Sequence, residues 1–145
     1  MRILVLNGPN LNMLGIREKH LYGTETYEDL KRYIQEKARE LGLETEICQS
    51  NHEGEIVDWI QGALGRFDGI VINPAAYTHT SVAILDALKA VNLPAAEVHL
   101  TDISQREPFR QISYAGMACQ AHFIGMGFAG YGKALAWMKE HLAGT

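Results

Sequence analysis

The chain predicts an α/β fold in which a five-stranded, mostly parallel sheet is covered by helices on both faces. Two observations predict it. Short apolar runs recur along the whole chain, and stripes of apolar residues at helical spacing fall between them, so strand and helix alternate throughout. A third observation concerns the ends: Asn, His, Ser and Thr crowd after the runs, where sheets of this kind bind ligands.

Taken in order, the strand-like runs are Ile3–Leu6, Thr45–Cys48, Ile70–Ile72 and Ala96–Leu100, with a fifth at Ala121–Met126. The first helix is read from Tyr27, Leu30, Ile34, Ala38 and Leu41. Thr26 and Asp29 have the spacing of a capping box at its start, and Gly42 is a stop at its end. Ile56, Ile60, Ala63, Leu64 and Phe67 make a second stripe, and Ile84, Leu85, Leu88 and Val91 a third. Tyr131, Leu135, Met138 and Leu142 make the last. A single domain spans residues 1–145, without repeats or linkers. Five strands in this rhythm suggest a flavodoxin-like doubly wound sheet.

Composition narrows the class of function. Hydrophobic residues make up 47% and charged residues 21%, as in ordinary globular proteins, and the net charge is −4. That balance argues against a nucleic-acid or anionic-membrane partner, so a negative substrate would have to be met by a few placed arginines. The opening run MRILVLNGPN is too short for a signal peptide or a membrane span. Cys48 and Cys119 lie in apolar, strand-like segments without metal spacing. They read as buried free thiols in a reducing compartment, which gives a cytoplasmic expectation.

Several chemistries can be weighed from the residues. Gly125 to Gly130 spells a dinucleotide fingerprint, but only 15 residues follow Gly130, too few for the second strand and its acidic ribose ligand. A tight turn with close helix packing is the better reading. The six histidines, at 20, 52, 79, 99, 122 and 141, have no metal-site spacing, although a fold could bring His79 and His99 together. There is no G-x-S-x-G nucleophile motif, and no lysine lies in a strand.

Proton transfer remains. The long connection from Gly15 to Gly23 carries Arg17 and Tyr22, and a guanidinium beside a phenol favours the phenolate. Glu97 and His99 fall on one face of their strand, so the carboxylate can orient the imidazole and keep it protonated. A base and an acid, both side chains, point to a lyase or an isomerase. A flavodoxin-like module holding FMN or a phosphate at the strand ends is the binding-class alternative.

Five blocks then carry a resemblance: LNGPNLNMLGIRE…YG, QSNHEGEIVDWI, GIVINPAAYTHTSVAILDAL, EVHLTDISQREPFR and IGMGFAGY. In order, from Ile3 to about Leu142, they resemble type II 3-dehydroquinate dehydratase. The resemblance implies the flavodoxin-like fold, a dodecamer built from trimers, and no metal or organic cofactor. It implies dehydration of 3-dehydroquinate to 3-dehydroshikimate, in the shikimate pathway or in quinate breakdown. It also implies roles: Tyr22 as the base, Arg17 as the group that lowers its pKa, and Asn10 as the holder of a water at the enolate oxygen. His99 is similar to the acid, steadied by Glu97. Asn73, His79 and Arg110 match positions that grip ring hydroxyls, Leu100 and Thr101 the carboxylate cradle, and Asp86 a residue offered to a neighbouring subunit's site. The chain departs from the family pattern at Lys19, often proline, and at His20, often acidic. Ala75 stands where glycine is usual, and Thr101 where serine is common.

Overall fold

A computed structural model describes residues 1–16 and 25–143. Its sheet has the order β2-β1-β3-β4-β5, with every neighbouring pair parallel. The strands are β1 (Arg2–Asn7), β2 (Glu44–Gln49), β3 (Gly69–Asn73), β4 (Ala95–His99) and β5 (Ala121–Ile124). The helices are α1 (Tyr27–Leu41), α2 (Glu53–Gly62), α3 (Val82–Val91) and α4 (Ala129–Ala143). This is the doubly wound, flavodoxin-like arrangement the sequence predicts.

The core divides by strand parity. Ile3, Val5, Val71, Ala96 and Val98 face α1 and α4, meeting Leu30, Ile34, Tyr131, Leu135 and Met138. Leu4, Leu6, Ile70, Ile72 and Ala95 face α2 and α3, meeting Ile56, Ile60, Ile84, Leu88 and Val91. The three central strands are buried on both faces apart from Arg2, and β4 buries Glu97 and His99 among its apolar residues, whereas edge strands β2 and β5 are half exposed.

Helix α1 starts as the spacing predicts. Thr26 Oγ1 accepts the Asp29 N–H at 3.2 Å, and Asp29 Oδ2 accepts the Thr26 N–H at 2.9 Å. Gly42 closes the helix in left-handed backbone. The second stripe runs further than its helix. Helix α2 ends at Gly62, and Gly65 turns the chain at φ +79°, so Leu64 is 61% exposed while Ala63 and Phe67 reach the core from the turn.

The cysteine expectation also needs correcting. Cys48 lies on edge strand β2, but Cys119 ends a short 3-10 turn before β5, and both free thiols are half-buried. Burial, and then the charge of Glu97, push the Cys119 thiol up to about 12, so it is no nucleophile at neutral pH. Among the described residues no helix is long and apolar enough to cross a membrane.

Candidate active site

The chain winds one way from β1 to β2 and the other way from β3 onward, so the strand order reverses at the β1/β3 pair. A crevice opens there at the carboxyl ends of the strands, as the topology requires. The cleft encloses about 480 Å³, counting the solvent at its mouth, which suits a small ligand. Asn10, Asn73, His79, His99, Leu100, Thr101 and Arg110, seven positions singled out in the sequence, all line it. Arg106, which no sequence pattern singled out, lines it too. Two guanidiniums thus face one cleft in a chain of net charge −4, with Arg110 Nε 2.8 Å from Glu107 Oε2 at the rim. Glu97 lies behind His99, and Asp86 is exposed on α3, away from this cleft. Arg17 and Tyr22, with Lys19 and His20, lie outside the described residues.

The loop after β1 is set by backbone contacts. Gly8 N–H donates to the Asn73 carbonyl at 2.8 Å. An added Cβ at Gly8 would lie 2.3 Å from the Pro74 carbonyl oxygen, so the two loops meet this closely only through glycine. The next turn puts Asn10 at φ +70°, a left-handed conformation that asparagine tolerates better than most residues. Asn51 Oδ1, from the end of β2, accepts the Asn10 N–H at 3.0 Å and is itself steadied by Gln49 Nε2 at 3.2 Å. Asn51 and Gln49 therefore fix Asn10, although sequence reading took them only as part of a polar strand end.

Below the cleft runs a buried polar chain. Tyr131, fully buried on α4, donates its hydroxyl to Asn7 Oδ1 at 2.7 Å and accepts from Asn73 Nδ2 at 2.9 Å. Burial raises its pKa, so the hydroxyl stays protonated and can donate. Asn73 Oδ1 in turn accepts the Ala75 N–H at 3.1 Å. Ala75 has φ +53°, which explains why glycine is usual there: the methyl group strains a left-handed backbone by about 1–3 kcal/mol. In the sequence Tyr131 looks like one more apolar residue of a helical stripe. Replacing it with phenylalanine is expected to leave Asn7 and Asn73 with unmet buried groups, costing about 1–3 kcal/mol. A urea unfolding midpoint equal to that of the unmodified chain would reject this role.

Two histidines of the cleft differ in their partners. His79 Nδ1 lies 2.7 Å from the Ile112 carbonyl oxygen, and burial is the main cause that lowers its pKa, helped by His99, Arg110 and Arg106. A neutral ring that donates through Nδ1 leaves Nε2 as an acceptor for a ligand hydroxyl. His99 Nε2 instead lies 2.8 Å from Glu97 Oε2, and both side chains are almost fully buried. The strand places residues 97 and 99 on the same face, as the sequence predicts.

Glu97 holds more than His99. Its Oε2 accepts the Ser113 hydroxyl and lies 3.4 Å from Thr78 Oγ1, while Oε1 lies 2.7 Å from His122 Nδ1. Burial alone would raise the pKa of this acid. The hydrogen bond and charge of His99, with the bonds from Ser113 and His122, outweigh burial and hold it down to about 2. The carboxylate needs room as well as partners: a Cβ at Gly116 would lie 2.5 Å from Oε1. The glycine-rich turn after β5 braces the end of β4. The Gly125 and Gly127 N–H groups each donate at 3.0 Å, to the carbonyls of His99 and Leu100, and Gly130 lets α4 pack on Val98. Among the described residues no group of three or more His, Cys, Asp or Glu is arranged to hold a metal ion.

An imidazole backed by a buried carboxylate, an asparagine and two arginines around one cleft can move a proton on a small anionic compound. Comparison with known proteins bears on which family builds such a cleft. The family model described as dehydroquinase class II matches residues 1–139. A 3-dehydroquinate dehydratase of Clostridium acetobutylicum is 50% identical over 143 residues, covering 99% of each chain. One from Caldicellulosiruptor bescii is 54% identical over 142 residues, covering 97% of this chain and 98% of the relative. The crystal structure of the type II dehydroquinase from Butyrivibrio crossotus superimposes with a TM-score of 0.93 at 50% identity, over 95% of this chain and 97% of that one. The chain belongs to the class II dehydroquinase family.

Proposed function

We propose that the chain dehydrates 3-dehydroquinate to 3-dehydroshikimate by anti elimination, with Tyr22 as base and His99 as acid. In this reading the phenolate of Tyr22, favoured by Arg17, takes the C2 proton beside the ring ketone and leaves an enolate. Asn10 holds a water against the enolate oxygen, where negative charge develops. His99 then gives a proton to the C1 hydroxyl, the C1–O bond breaks, and water leaves as the C1=C2 double bond forms. The observation that carries the reading is the Glu97–His99 pair: a buried carboxylate 2.8 Å from Nε2 leaves Nδ1 as the nitrogen available to the cleft.

Substrate recognition follows from the same cleft. Asn73, the Nε2 of His79 and Arg110 take the ring hydroxyls, while the Leu100 and Thr101 amides with the Thr101 hydroxyl cradle the carboxylate. No step requires a metal or an organic cofactor. Exposure of Asp86 on α3 suits a residue lent to the cleft of a neighbouring subunit, in a dodecamer built from trimers. The reaction belongs to aromatic biosynthesis by the shikimate pathway or to quinate breakdown, in the cytoplasm.

The product is a conjugated enone and the substrate is not, so the purified, colourless protein should raise near-ultraviolet absorbance when mixed with 3-dehydroquinate. A flat trace at enzyme concentrations comparable to substrate would overturn the assignment.

A further inference from the structure

We propose that His122 is a positioning residue for His99, acting through Glu97 from the edge strand of the sheet. The inference rests on the reading of His99 as the acid, and it adds a residue that neither the strand alternation nor the resemblance singles out.

The case begins with register. In the parallel β4/β5 ladder Glu97 pairs with His122, so both side chains stand next to each other on the face that also carries His99. The carboxylate is then divided between partners. Oε2 receives His99 Nε2, the Ser113 hydroxyl and Thr78 Oγ1. Oε1 points toward Gly116 and is met by His122 Nδ1 at 2.7 Å, the one side-chain hydrogen bond to that oxygen among the described residues. A carboxylate held at one oxygen can still swing about its last torsion, which is broad for a terminal carboxyl group. Held at both, it fixes the direction in which Oε2 faces the imidazole of His99. Proton donation depends on that direction, because small misplacements of a catalytic group have large effects on rate.

The two imidazoles also differ in setting. The side chain of His99 is 5% exposed and that of His122 is 44% exposed. His122 is therefore reachable by solvent and replaceable without opening the core, whereas Glu97 and His99 are not.

Asparagine and phenylalanine separate the hydrogen bond from the rest of the side chain. The amide nitrogen of asparagine stands the same number of bonds from the backbone as Nδ1, so His122→Asn keeps a donor aimed at Oε1. His122→Phe keeps the ring and loses the donor. The test measures kcat and KM on 3-dehydroquinate for both variants, together with the 15N signals of the His99 ring recorded without substrate. His122→Phe should lower kcat about tenfold with KM within about twofold, and should shift the His99 ring signals. His122→Asn should keep kcat within about threefold of the unmodified chain and leave those signals nearly in place.

Unchanged His99 signals in His122→Phe would overturn the proposal, whether or not the protein turns over 3-dehydroquinate. A kcat in His122→Phe equal to that of the unmodified chain would overturn it too, as would a loss confined to KM or one that asparagine does not rescue. If phenylalanine prevents folding, His122→Ser, too short to reach Oε1, replaces it under the same criteria. Failure of the broader reading looks different: an unmodified chain with no turnover, or a His99→Ala variant that retains it.

Discussion

Replacing Tyr22 with phenylalanine is expected to lower kcat by about 10²–10⁴-fold while 3-dehydroquinate still binds. The loss follows from what a base contributes to proton abstraction at carbon. A free tyrosine is mostly protonated at neutral pH, with a pKa of about 10, so it serves as a base only if a neighbour favours the phenolate. Arg17 is five residues earlier in the same connection and carries the charge that would do so. Phenylalanine keeps the ring but has no oxygen to accept the proton. The effect should fall on kcat, with the dissociation constant for substrate, read by calorimetry on the inactive variant, changed by less than about threefold. Turnover like that of the unmodified chain would exclude Tyr22 as the base and move attention to the groups lining the described cleft.

Glu97→Gln is expected to show the second large effect, in both rate and stability. One oxygen becomes an amide that donates where His99 and Ser113, or His122, also donate. In the Oε2 place the amide faces donors and takes from His99 the acceptor that sets its tautomer; in the Oε1 place it faces the donating Nδ1 of His122 and releases the grip on the group behind His99. A fall in kcat of about 10²–10⁴-fold is expected, with KM less affected.

The same substitution tests the electrostatics. His99, Ser113 and His122 hold the folded-state pKa of Glu97 down to about 2, from its ordinary 4.5. A carboxylate whose pKa is depressed on folding stabilises the protein fully above its unfolded value and loses that stabilisation as pH falls through the folded value. The window is therefore from about pH 4.5 down to about pH 2, and the contribution is on the order of 3 kcal/mol. Urea unfolding across that range should show the unmodified chain losing more stability than Glu97→Gln by about this amount. Parallel pH dependence in the two proteins would refute the assignment.

Much of the fold could be read directly from the residues. Continuous apolar runs and helical stripes report burial on two faces and on one, and these patterns are local. The capping box at Thr26 and the stop at Gly42 were equally legible, because a cap involves residues three or four apart. Leu64 was misread because periodicity alone does not show where backbone geometry ends a helix. Cys119 was misread because an apolar neighbourhood does not distinguish a strand from a turn.

The site was legible in part. Glu97 and His99 are two residues apart on one strand, so alternation alone put them together. His122 is in register with Glu97 only after β5 pairs with β4, and Tyr131 reaches Asn7 across 124 positions of sequence. Neither neighbour leaves a trace in spacing. Arg106 looks like a surface charge until the loop after β4 brings it to the cleft, and Arg110 was marked only by the resemblance.

What the sequence determined by itself, then, was the layering of the fold, the family blocks and the pairing of His99 with Glu97. All of these depend on residue type and short-range periodicity. Which polar groups complete the site was decided only by tertiary structure, since strand order and register bring together residues far apart in the chain. Glu97 shows the division most clearly. Its bond to His99 is written in the strand, and its bonds to Ser113 and His122 exist only because the sheet closes beside it.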